Sequence, residues 1–189
     1  MKKFLSIIIL IFFYNNSLLA DKIEEFQIDN ISIGDSILEF LDEEKIKKDT
    51  IYFYGDKKYG TISIYNSNEY DRIQFTYDSS DRNYKVHGIA AVIIFDNDIN
   101  ACKTKMKKVI EDVEPLIGNK VNKGTGSSKR SHDPSGKSIM YFNEFIFSDE
   151  SVISINCTNW SEEITKKKGW TDELKISFYS NKFANYLSK

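Results

Sequence analysis

The spacing of apolar residues changes along the chain, and each change marks an element. "FQIDNISIGDSILEFLDEEKIKK" opens with Phe26 and Ile28, the alternation of a short strand. Gly34-Asp35-Ser36 supplies turn and cap chemistry, and Ile37, Phe40, Leu41 and Ile46 then fall on one helical face ending near Lys48. "TIYFY" before Gly55-Asp56 predicts a strand entering a hairpin. "YGTISIY" sets Ile62 and Ile64 on one face, and "YDRIQFTY" sets Ile73, Phe75 and Tyr77 against Arg72, Gln74 and Thr76. "YKVHGIAAVIIF", residues 84–95, starts half polar and becomes apolar throughout. That pattern predicts a central strand covered on both faces near its end, with Gly88 at a bulge.

The period then lengthens. Ile99, Cys102, Met106, Val109, Ile110 and Val113 recur at helical spacing, and Pro115 and Gly118 close the helix. Residues 118–137 are polar and predict a long loop. "SIMYFNEFIFS" and "SVISINCTNW" predict a hairpin turning at Ser148-Asp149-Glu150, with Ile153, Ile155 and Cys157 on one face. "SEEITKKKG" reads as a charged connection. "DELKISFYS" is a last strand with Leu174, Ile176 and Phe178 inward, and "NKFANYLSK" a short closing helix. The expectation is a single α+β domain over 21–189. It has a mostly antiparallel sheet of about 6–7 strands, a long central helix, short N- and C-terminal helices, and the helices on one face.

The first twenty residues belong to a different pattern. Lys2 and Lys3 precede the apolar run "FLSIIILIFF", then Asn15, Asn16, Ser17 and "LLA" before Asp21. That order predicts a secretory signal peptide, residues 1–20, cleaved after Ala20. The run is shorter than the roughly 20 apolar residues of a membrane-spanning helix, so no stable membrane anchor is expected after cleavage. Export to the periplasm or beyond follows. Cleavage removes two lysines and no acid, leaving 24 basic against 28 acidic side chains and a net charge of −4. Nucleic acid and anionic membranes reward a basic surface, which argues against both as partners.

An oxidising destination also decides how the two cysteines are read. Cys102 and Cys157 are the whole complement, and an even, small number in an exported chain predicts a disulfide. Neither lies in a Cys-x-x-Cys spacing, so a metal pair or redox-active pair fits poorly.

Candidate chemistry is sparse. Gly136-Lys137-Ser138 imitates the end of a phosphate-binding loop, but the position five before Gly136 is Ser131, and a strand follows where a helix is required. No nucleotide is expected, and Asp133-Pro134 with Ser135-Gly136 reads as a turn. "DNDIN", residues 96–100, imitates a calcium loop, yet Ala101 and Lys107 stand where Gly and Glu are needed; a helix cap is the expectation. Nucleophile motifs are absent from the sequence, and nothing in it calls for a cofactor. Tyr52, Tyr54, Tyr59, Tyr65 and Tyr77 crowd neighbouring strands, and Trp160 and Trp170 bracket the charged connection. Strand propensity accounts for them, with sugar binding as the rival.

The segments "ISIGDSILEFLDEEKIKK", "YDRIQF", "INACKTKMKKVI", "DPSGKSIMYF", "ISINCTNWSEE" and "DELKISFYSNKFANYL" resemble, in order and spacing, a set of exported proteins from streamlined marine alphaproteobacteria. The resemblance spans most of the chain after residue 20. It implies an exported α+β domain and carries no activity and no catalytic residue. The expectation is therefore a non-enzymatic domain that binds an envelope protein or a small ligand. Its candidate surface is the 118–138 loop, through His132, Asp133, Ser135, Lys137 and Ser138, with nearby Trp160. The alternatives are a hydrolase of envelope polymers acting through paired carboxylates and a purely structural envelope component.

Overall fold

The computed structural model describes residues 20–188 apart from 66, 68, 119 and 120; the expected signal peptide lies outside the described residues except for Ala20. Strands β1, Gln27–Ile28, and β2, Ile31–Ser32, form a small hairpin. Its turn residues Asp29 and Asn30 both take positive φ, a conformation Asp and Asn tolerate better than other side chains. The expected helix over 35–48 is broken. Ile37–Glu39 form one 3-10 turn, and α1, Glu43–Asp49, begins afresh at Asp42, whose carboxylate accepts from the Lys45 N–H. A capping aspartate restarts the helix because its side chain replaces the carbonyl that the first turn lacks.

Seven further strands form one antiparallel sheet: β3, Tyr59–Tyr65; β4, Arg72–Asp78; β5, Val86–Ile94; β6, Asn122–Lys129; β7, Ile139–Ile146; β8, Val152–Asn159; and β9, Glu173–Tyr179. Their order is β3-β4-β5-β9-β8-β7-β6. Two meanders thus meet at the β5–β9 seam. The connection between them is α2, Ile99–Val113, which runs into a 3-10 turn at Glu114–Leu116.

Alternation assigns the two faces. Ile62, Ile73, Phe75, Ile89, Ile155 and Leu174 all point to the α2 side and are fully or almost fully buried. Cys102, Met106 and Val109 of α2 pack on that face, chiefly against β8 and β9. Cys102 and Cys157 form a disulfide, with Cα atoms 6.0 Å apart and a separation of 55 in sequence. The bond ties the first turn of α2 to a strand on the far side of the seam.

Other expectations need correction. "TIYFY" contributes one isolated bridge, Ile51 to Thr61, and no strand. Residues 122–129, expected within the 118–138 loop, are edge strand β6, in register with all of β7. "SEEITKKKG" holds α3, Glu162–Lys168, between a Ser161 cap and Gly169 in the left-handed conformation (φ 68°). Strand β5 is covered on both faces in its middle, Gly88 to Val92, and opens at Ile94. The bulge falls at His87, beside Gly88: the register steps between Thr76 and Tyr77, which pair with Gly88 and Val86. Finally, the helices do not share one face. α4, Asn181–Leu187, crosses to the side opposite α2.

Candidate functional site

The face opposite α2 carries the polar half of each alternating strand, including Arg72, Gln74, Thr76, Lys175 and Glu173. A cleft of about 600 Å³ lies over it, within the roughly 300–1,000 Å³ of small-molecule sites.

The bulge builds one end. The displaced His87 accepts the Ser180 N–H on its carbonyl at 2.8 Å, and its Nδ1 lies 3.1 Å from the Ser180 hydroxyl. Ser180 is the N-cap of α4. This anchorage drops Phe183 onto the sheet above Gly88. A Cβ at Gly88 would stand 3.0 Å from the Phe183 ring, so the glycine is what admits the helix so close. Tyr54, Tyr59, Tyr179 and Tyr186 surround Phe183, with ring centroids 4.8 to 6.3 Å from it. The Tyr186 hydroxyl donates to Asp56 at 2.7 Å; removal from water, then that bond, push its pKa up to about 12. Phe53 and Leu187, which also line the cleft, are 62% and 41% exposed.

A second network builds the other end. Asp133 is buried and accepts from the N–H and hydroxyl of both Ser138 and Ser135. Those bonds, Ser138 first, hold its carboxyl well below the usual range. The fully buried Ser138 hydroxyl in turn accepts the Ser161 N–H at the head of α3. The 130–138 turn, with Gly136 at φ 67°, is thereby fastened to α3. The Trp160 N–H donates to the buried Asp172, whose pKa burial raises. The indoles of Trp160 and Trp170 meet at 4.7 Å, tilted by 58°; His132 meets Trp170 at 5.9 Å, and the Arg130 guanidinium lies 5.6 Å over Trp160.

Of the residues singled out from sequence, His132 and Trp160 line the cleft. Asp133, Ser135 and Ser138 use their polar atoms inside the turn and on α3, and Lys137 is exposed. Trp170 and Tyr54, noted only among the aromatics of the sugar-binding rival, line it too, whereas Arg72, Lys175, Arg130 and Phe183 line the cleft and were not singled out as site residues. For Arg72 the alternation was the available signal, since it marks a face and does not say whether that face is covered.

Charge is unevenly placed. Arg72 pairs with Glu173 at 3.0 Å, and Glu173 is the one carboxylate lining the cleft among the described residues. Arg130 and Lys175 have no carboxylate within 4.0 Å among the described residues. Arg130 instead points one N–H at the Met140 sulfur, and the Nε of both arginines is buried without an acceptor. Among the described residues, no group of three or more His, Cys, Asp or Glu is placed to hold a metal ion, and no helix is long and apolar enough to cross a membrane. At Asp96–Asn100 the polar side chains serve the fold: Asp98 caps α2 by accepting from the Ala101 N–H.

No family model, curated protein or solved structure matches the chain. The cleft itself therefore carries the functional argument.

Proposed function

We propose that this protein is an exported, non-enzymatic binding domain that holds a small molecule in the cleft across its open sheet face. The observation that carries the reading is the construction of that cleft. Two unrelated hydrogen-bonded networks, His87–Ser180 and Asp133–Ser138–Ser161, fix aromatic walls at opposite ends of a rigid sheet. Aromatic walls with a few placed polar groups are the usual make-up of a ligand site. Export is supported by the N-terminal pattern, by the resemblance described above and by the disulfide, which persists in oxidising compartments. The geometry favours a small ligand over an envelope protein, because the apolar and cationic groups converge inside a concavity.

The hydrolase alternative requires two acids facing each other. Among the described residues the cleft offers Glu173, already held by Arg72. The test is native mass spectrometry of the full chain purified without reductant from the envelope that makes it. The reading predicts a mass lacking the leader and two hydrogens and carrying a small-molecule adduct. A bare species under every gentle condition would count against it.

A further inference from the structure

Resting on the cleft reading, we propose that the ligand is a single-chain anionic amphiphile. Its acidic head lies between Arg130 and Lys175, and its chain runs toward Phe183. The ladder sets the axis. Glu173 and Tyr179 stand at opposite ends of β9 on the cleft face, and Arg72 and Thr76 of β4 flank the same run. Six residues of strand span roughly 20 Å, so the floor is long and narrow. Its charged side chains gather at one end, where Ile94 also stands. At the Glu173 end stand Arg72, Arg130 and His132; at the Tyr179 end stand Phe53, Phe183 and Leu187.

The charge argument is local. Glu173 is matched by Arg72, which leaves Arg130 and Lys175 as cations without a carboxylate among the described residues. They sit in a confined cleft of a chain whose formal net charge is −2. Partly desolvated cations are stabilised by an anion brought to them, and a guanidinium takes carboxylate or phosphate through paired N–H donors. At the far end, the exposed Phe53 and Leu187 give a hydrocarbon surface to cover. A neutral sugar would use the aromatic walls but leave both cations unmatched.

The chain's two tryptophans both line the cleft, so intrinsic fluorescence reads its occupancy. The experiment titrates the full chain, below micelle concentrations, with decanoate, decyl phosphate, 1-decanol and decyltrimethylammonium. Both anions, or one of them, should bind at least about tenfold more tightly than decanol, the ratio an added charged contact supplies. Which anion binds tighter tells carboxylate from phosphate. Arg130→Gln with Lys175→Gln should reduce the anions to the level of decanol and leave decanol unchanged. Lys175→Gln alone should give a partial loss if the double variant does not fold. Equal affinity for decanol and the anions, or anion binding unmoved by the substitutions, overturns the anionic assignment and leaves the cleft reading standing. No response to any probe overturns the amphiphile assignment altogether, and the native mass spectrum then judges the cleft separately.

Discussion

Opening the Cys102–Cys157 bond should cost the domain about 4 kcal/mol. The bond closes a loop of 55 residues, and the chain-entropy relation for a loop of that size gives about 4 kcal/mol at room temperature. Both sulfurs are fully buried, between α2 and β8. Replacing both cysteines by alanine also removes packed atoms, which adds about 1 kcal/mol or more through small cavities. Reduction of the natural chain isolates the first effect, and the double alanine variant reports both. A whole domain is worth about 5–15 kcal/mol, so either change removes a large share. For a domain of this size, 4 kcal/mol lowers Tm by roughly 8–16 °C. The assay is urea unfolding of oxidised, reduced and C102A/C157A protein, followed by far-ultraviolet circular dichroism. Loss of less than about 1 kcal/mol on reduction, with an unchanged denaturant slope, would refute the bracing role. It would mean that Met106, Val109 and the strand contacts seat α2 without the bond.

Two further predictions follow from the walls of the cleft. Gly88→Ala drives a methyl against Phe183 and should destabilise by about 1–3 kcal/mol. Phe183→Leu in the same chain should recover part of that loss in a double-mutant cycle; strict additivity would show that the two do not touch. Stability should also fall in two separate acidic steps. Burial, with Lys182 beside it, holds the His87 pKa below its ordinary value, against the smaller opposing pull of Asp78 and Asp81. The unfolded chain therefore takes up that proton first, and stability is lost as pH drops below about 6.5. Asp133, depressed by its serine bonds, gives stability that is present above about pH 4 and lost as pH falls further. His87→Gln should flatten the upper step of a Tm-against-pH curve, and Asp133→Asn should shrink the lower one, to which Asp78 and Asp81, also held below their ordinary values, contribute as well. A wild-type curve level from about pH 7.5 to 5.5 would contradict the His87 assignment.

What could be read from the sequence follows from how each element is stabilised. β4, α2 and β9 bury a regular face and β5 and β8 are apolar enough to be buried on both, so Ile73-x-Phe75-x-Tyr77, the run Ile89–Val92 and the Cys102–Met106–Val109 spacing announce them. β6, "NKGTGSSK", is an edge strand with no buried residue, held by backbone pairing to β7, which leaves no hydrophobic period to detect. α3 buries Ile164 alone; its signal lies in the Ser161 cap, the leading acids and the trailing lysines, which the charge run concealed. "TIYFY" has strand propensity, yet Tyr52 and Phe53 are exposed and Phe53 and Tyr54 turn toward the cleft. The cleft shows the same division. Trp160 and His132 stood out as residue types, whereas Arg72 and Lys175 looked like the solvent side of strands until α4 was found across that face.

The central claim, that the open sheet face holds a small molecule, is tested most directly by comparing native mass spectra of two proteins from the same envelope. One is the natural chain. The other carries Gln74→Phe, which sets a strand-compatible ring on the half-buried cleft floor. The account predicts a small-molecule adduct on the natural chain and its loss from the variant, with closely similar unfolding midpoints for the two once both are stripped of ligand. An adduct retained in full by Gln74→Phe would place the ligand elsewhere and contradict the account.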